Sequence, residues 1–287
     1  MNLKRLLTYC LIALFVLALF GCTNGAENVA LSSDGVEISF LNQGKGNPAI
    51  LFVHGWSNDN TIWEYQVAHF SEKYKVVAVD LPGFGASGTN RTEWTMSSYG
   101  ADISAVIKKL RLKEVVLVGF SMGAPVVVEA AVMNPDVVKG VVIVDDMHNV
   151  NMQYTPEIMA YMEGMMMDVV KNPAVEKLGY FFRTNVEENY QKVLAMITDS
   201  PMTGWLESLQ DLFRWTNEDC KVLLPKVKAP IVAINSNQVP TDVDAFKALV
   251  PTFKAKIIPD VGHVVMWDAT DEFNRLLEET IQEFLAE

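Results

Sequence analysis

The run Val115-Val116-Leu117-Val118-Gly119-Phe120 gives way at once to Ser121-Met122-Gly123-Ala124, and this switch constrains the fold more than any other feature of the chain. An apolar run rich in β-branched valines, with no alternation, predicts a strand buried on both faces, as inside a parallel sheet. Small or apolar residues then recur at helical spacing through Ala124, Val127, Val128, Ala131 and Val132, which predicts a helix that starts directly after the strand. So sharp a turn leaves little room for side chains, and Gly119 and Gly123 flank Ser121 in the order G-x-S-x-G. A serine placed there stands at a helix N-terminus, where free N–H groups and the helix dipole favour developing negative charge.

The same strand signature recurs along the chain. Ala49–Val53, Val76–Val79, Val137–Val144, Ala229–Ile234 and Phe253–Ile258 are short apolar runs, and Val36–Leu41 alternates as an edge or antiparallel strand does. Thr61–Phe70, Ser98–Leu110 and Asp271–Leu285 carry helical periodicity between and after them. Strands that alternate with helices predict an α/β fold, with its chemistry at the C-terminal edge of the sheet. The interval from Met147 to about Leu224 is far longer than a crossover needs. Its helical spacing in Ile158–Val170, Val186–Ile197 and Trp205–Trp215 predicts an inserted helical layer.

Four segments at strand ends carry a resemblance: His54-Gly55-Trp56-Ser57, Asp80-Leu81-Pro82-Gly83-Phe84-Gly85-Ala86-Ser87, Gly119-Phe120-Ser121-Met122-Gly123 and Pro259-Asp260-Val261-Gly262-His263. Together they resemble the α/β-hydrolase family, over nearly all of the chain from Val36 to Glu287. The resemblance implies a mostly parallel eight-stranded sheet flanked by helices, with the hydrolase core in 31–146 and 225–287 and a helical cap in 147–224. It makes Ser121 the nucleophile, His263 the general base, and the backbone N–H groups of Trp56 and Met122 the oxyanion hole. His54 and Asp80 become scaffolding residues, and His69 belongs to a helix surface. The third triad member departs from the common pattern. Many relatives place an aspartate after strand seven, where this chain reads Asn235-Ser236-Asn237. Two solutions remain: Asp145 at the end of strand six, beside Asp146, or Asp242 or Asp244 just past Pro240. A strand end fixes a side chain better than a loop, which favours Asp145, although Asp145 and Asp146 could equally form a cap at that strand end.

The expected reaction is cleavage of carboxylic esters or related acyl compounds with apolar groups, through an acyl-enzyme and without cofactor or metal, since no His/Cys/carboxylate cluster has ligand spacing. A carbon–carbon bond hydrolase or a cofactor-free perhydrolase would use the same triad. Dehalogenases and epoxide hydrolases of this architecture use an aspartate nucleophile, which Ser121 argues against. A lipid-anchored binding protein that lost turnover is the alternative from another class, with the absent acid after strand seven in its favour. Nine of the 14 methionines lie between Met147 and Met202, and flexible thioethers suit an adaptable pocket, with Tyr161, Phe181, Phe182, Trp205 and Trp215 as further lining candidates. Arg183 and Arg214, the cap's arginines, are not spaced as a carboxylate clamp.

The chain opens on Lys4 and Arg5 followed by an apolar block from Leu11 to Phe20, a pattern of export too short for a comfortable membrane span. Leu19-Phe20-Gly21-Cys22 resembles a bacterial lipobox, which implies a signal peptide in 1–21, a lipid anchor on Cys22 and a tether in 22–30. A plain secretory signal and an uncleaved anchor are the other readings. By the same resemblance, Asn24 at the second mature position favours the outer membrane where the cell has two. Loss of Lys4 and Arg5 takes the formal charge from −12 to −14, so nucleic acid is not an expected partner. With Cys10 removed and Cys22 acylated, Cys220 has no disulfide partner. Oligomeric state is left open.

Overall fold

The computed structural model describes residues 28–172, 174, 187–199 and 201–286. The expected signal peptide, Cys22, Phe181, Phe182 and Arg183 lie outside the described residues. Eight strands form one sheet: β1 (Val29–Leu31), β2 (Glu37–Gln43), β3 (Ala49–Val53), β4 (Lys75–Val79), β5 (Val115–Phe120), β6 (Val138–Val144), β7 (Ile231–Ser236) and β8 (Lys254–Ile258). Their spatial order is β1-β2-β4-β3-β5-β6-β7-β8. The β1/β2 and β2/β4 pairs are antiparallel and all others parallel. Every residue of β3, β5 and β7 is buried, as unalternating apolar runs require of strands covered on both faces.

The helices are α1 (Glu64–Phe70), entered through a 3-10 turn at Asn60–Trp63, α2 (Met96–Leu110), α3 (Gly123–Met133), α4 (Pro156–Lys171), α5 (Glu187–Asp199), α6 (Trp205–Glu218), α7 (Cys220–Leu223), α8 (Val243–Leu249), α9 (Val265–Asp268) and α10 (Thr270–Ala286). Thr95 starts α2 with a capping box shared with Ser98, which satisfies donors the first turn leaves free. Helices α4 to α7 fall in the interval expected to form the cap. One expectation needs correction. The unpatterned tether does not reach residue 30, because Val29–Leu31 pairs with Glu37–Ser39 as the outermost strand. A buried arginine ties that edge down: Arg91 bonds Asp102 of α2 at 2.7 Å and Asp34 of the β1–β2 turn at 3.0 Å.

Candidate active site

The register sets Val79, Val53, Gly119, Ile143 and Ala233 side by side across five strands, so the loops that follow them open on one edge of the sheet. Ser121 lies one residue beyond β5 with φ +50, in the left-handed region that non-glycine residues rarely occupy. Its N–H donates to Val144 O at 3.1 Å and its carbonyl accepts from Ala124 N at 2.8 Å, so both sides of the turn are held. The flanking glycines have a steric reason. A Cβ on Gly119 would lie 2.2 Å from the Gly123 carbonyl oxygen, and one on Gly123 would lie 2.5 Å from Val53 O. Helix α3 thus begins pressed against the end of β3.

That contact also sets Trp56 beside the serine, since a Cβ on Gly55 would lie 3.1 Å from Ser121 Cβ. Among the described residues, the N–H groups of Trp56 and Met122 donate to no protein acceptor, which leaves two backbone donors on either flank of Ser121.

His263 follows β8 and is buried, with its ring 4.8 Å from that of Phe120. Its Nδ1 lies 2.7 Å from Asp145 Oδ2. Asp145 extends β6 by one residue, its N–H donating to Ile234 O at 3.1 Å, and turns its carboxylate at φ +46 so that Oδ1 accepts from Ser236 N at 2.6 Å. Burial by itself would raise its pKa, but the His263 hydrogen bond and charge, with the Ser236 N–H, hold it below the usual aspartate value. The other acids do different work. Asp242 and Asp244 are exposed, and Asp242 caps α8 by accepting from Ala245 N at 3.0 Å. The Asp146 carboxyl accepts from its neighbour Met147 N, and burial pushes it up to about 7. The position where many relatives carry the acid is filled by buried Asn235, which donates to Thr241 Oγ1 at 3.0 Å and Asp146 O at 3.3 Å.

Two polar residues seal the floor of the site. His54 accepts Leu81 N–H on Nε2 at 3.0 Å and therefore donates from Nδ1 to Gly55 O at 2.7 Å; burial lowers its pKa to about 4 and keeps it neutral. Asp80 accepts from Asn60 N and Ala86 N, and burial raises it to about 6. Both fix loops rather than face the serine.

Sequence reasoning did not single out His148, whose Nε2 lies 3.7 Å from Asp145 Oδ1 on the flank opposite His263. Its position three residues past a strand-end aspartate is the signal that could have flagged it. The lining candidates also need revision. Tyr161 is 71% exposed, whereas Trp205 and Trp215 are each 1% exposed and fasten the cap to the core. Trp205 Nε1 donates to Gly83 O at 2.9 Å, Trp56 Nε1 donates to Trp205 O at 2.8 Å, and Trp215 Nε1 donates to Glu129 Oε1 at 2.9 Å. Arg214 is absorbed by Asp211 and Asp219. Among the described residues no cluster of His, Cys, Asp and Glu could hold a metal ion.

Residues 50–276 match the sequence profile of the alpha/beta hydrolase family. The chain belongs to that family. Its relatives include the dihydrolipoyllysine-residue acetyltransferase component of an acetoin cleaving system from Cupriavidus necator, 24% identical over 85% of this chain and 66% of that protein. A 2-(acetamidomethylene)succinate hydrolase from Mesorhizobium japonicum is 33% identical over 38% of this chain and 39% of that protein. The chain therefore spans less than two thirds of the length of either. Among solved structures, a thermophilic esterase from Thermogutta terrifontis superposes with a TM-score of 0.76 at 22% identity, covering 89% of this chain and 98% of that one. This alpha/beta hydrolase thus shares with the esterase an architecture that the sheet order and the left-handed turn at Ser121 already define.

Proposed function

We propose that this alpha/beta hydrolase is a serine hydrolase that cleaves carboxylic esters or related acyl compounds with apolar groups. The observation that carries the reading is the 2.7 Å bond from His263 to Asp145 beside a serine held at positive φ on a strand-to-helix turn. With Nδ1–H donated to Asp145, His263 carries its basic lone pair on Nε2. Ser121 Oγ attacks the ester carbonyl carbon while its proton passes to His263 Nε2. The resulting oxyanion is held by the Trp56 and Met122 N–H groups, and the C–O bond to the alcohol breaks as His263 returns the proton to the departing oxygen. Water then attacks the acyl-enzyme by the same route, releasing the acid and restoring Ser121. Asp145 stays ionised throughout, and its lowered pKa suits that role.

The test is labelling of the folded protein with a fluorophosphonate probe. Covalent modification that disappears in Ser121→Ala supports the reading, and no modification of folded protein refutes it. Carbon–carbon and perhydrolase chemistry would share these residues and differ in products. The absent carboxylate after β7 favours a binding protein without turnover, and the Asp145–His263 bond weighs against it.

We also propose that the chain is exported and lipid-anchored through Cys22, on the strength of the apolar block Leu11–Phe20 and the segment Leu19-Phe20-Gly21-Cys22. Cys22→Ser should abolish incorporation of a labelled fatty acid in the producing cell.

A further inference from the structure

The cap carries an apolar surface that the reaction does not use. Seven of the twelve exposed large apolar side chains among the described residues belong to it. Ile158, Tyr161 and Met165, spaced i, i+3 and i+7 on α4, form one stripe and are 39%, 71% and 40% exposed. Met152, Met202 and Leu206, elsewhere in the cap, are also exposed. Met159, Met162, Met166 and Met167 of α4 pack half-buried against the core and Val169 and Val170 are buried at its far end, whereas a helix side that faced only water would carry polar residues where the stripe lies. Grouped exposed apolar side chains of this kind mark an interaction surface.

The topology says what lies near it. Phe40 pairs with Val79, which is level through β3 with Gly119, and Phe40 N–H donates to Asn28 O at 3.1 Å. The polypeptide therefore joins the fold level with the turn that carries Ser121, at the sheet edge the cap covers. Helix α2 packs on both β1 and α6, and α6 packs on α4, so the chain's point of attachment and the stripe lie on connected elements. Cys22 is six residues before Asn28, a reach of at most about 21 Å when fully extended. An anchor on Cys22, or an uncleaved apolar segment before it, would thus hold the cap against the bilayer.

We propose that the outward face of α4 docks on a lipid surface and presents the site to apolar esters dissolved in or leaving that surface. The proposal rests on the membrane attachment and ester chemistry inferred above, and adds to them an orientation and a substrate source. The charges around the stripe specify the surface. Glu157, Glu163 and Asp168 outnumber Lys171 on α4, so the face suits zwitterionic lipid and lacks the basic cluster that anionic headgroups recruit.

The test uses the full chain in phosphatidylcholine vesicles, with a bimane label on Ile158→Cys, Tyr161→Cys or, at the opposite end of the sheet, Lys109→Cys, and the unsubstituted chain as background. Lipid-borne nitroxide should quench positions 158 and 161 at least threefold more than position 109, with no gain when phosphatidylglycerol is added. Equal quenching in protein that floats with the vesicles overturns the docking while leaving the anchor intact. Preferential quenching that persists in Cys22→Ser upholds the docking where the anchor fails, and absence of vesicle association in every variant overturns both. As a second measurement, the triple substitution of Ile158, Tyr161 and Met165 to Ser should lower turnover of a vesicle-embedded long-chain ester about tenfold and leave a soluble short-chain ester within twofold. An equal fall on both substrates overturns the proposal.

Discussion

The edge of the sheet that carries Ser121 and the cap above it are built on opposite terms. At the edge, three buried polar side chains are held by groups distant in sequence: Asp145 by His263 and Ser236, His54 by Leu81, Asp80 by Asn60. In the cap, α6 is seated firmly through Trp205 and Trp215, whereas α4 buries only Val169 and Val170 fully, half-buries Met159, Met162, Met166 and Met167 against the core, and leaves Ile158, Tyr161 and Met165 outward. Reacting atoms need fixed geometry and therefore occupy the part of the molecule whose neighbours over-determine them. A surface that meets varied apolar molecules needs area and adaptability more than fixed angles, and methionine-rich α4 supplies those.

The sharpest way to break that contrast is to unfix the edge without altering its shape. Asp145→Asn keeps the side chain's size but turns the acceptor of the His263 Nδ1 proton into an amide, so the imidazole is no longer held in the reactive tautomer. Turnover should fall by about 10⁴-fold, with the fold unchanged by circular dichroism. A fall of less than tenfold would place the working acid elsewhere.

The parts of the molecule that the sequence disclosed are those where one physical requirement dominates locally. Unalternating valines could only be doubly covered strands, and the glycines beside Ser121 reflect a clash with Gly123 O and Val53 O that any side chain would meet. Asp145 was legible as a strand-end carboxylate and favoured over Asp242 on that ground, but its partner was not, because the contact with His263 spans 118 residues. Strand β1 escaped notice because three residues, of which only Ala30 is buried, carry no period of their own and exist by pairing with β2. The tryptophans of the cap read as pocket lining from their apolarity alone. Their buried roles follow from partners at Gly83 and Glu129, which helical spacing does not reveal.

A second prediction concerns how firmly the edge holds a titratable group. His54 titrates near 4 in the fold and near 6.5 in the unfolded chain, so between those values the unfolded state binds more protons and stability is lost as pH falls. The loss from this group reaches about 3 kcal/mol by pH 4 and is absent above pH 6.5. Asp80, raised to about 6, titrates with the opposite sign in much the same window, so the parent's profile alone does not isolate His54. The difference does. His54→Asn should be less stable than the parent at pH 7, for want of two buried hydrogen bonds, and the gap measured by urea unfolding should narrow toward pH 4. A gap that stays constant would mean that His54 is not kept neutral by the fold.

The seam between edge and cap should respond less. Trp215→Phe keeps most of the ring's packing but removes the Nε1–H that Glu129 accepts, leaving a largely buried carboxylate short of a donor. The cost should be about 2 kcal/mol in stability. Because the cap's seating rather than the triad is disturbed, KM for an apolar ester should rise while kcat changes less than threefold.

The smallest effect belongs to the same chemical change made at the other candidate acid. Asp242 is exposed, and its carboxylate accepts from Ala245 N–H as the N-cap of α8, while its own N–H donates to His148 O at 2.7 Å. Asparagine caps a helix about as well as aspartate, and the backbone bond does not depend on the side chain. Asp242→Asn should therefore change stability by less than about 0.5 kcal/mol and leave turnover within twofold of the parent. A large loss of turnover at unchanged stability would mean that Asp242 reaches His263 in the working enzyme, and with it the contrast between a fixed edge and an adaptable cap would fail at the residue where the two meet.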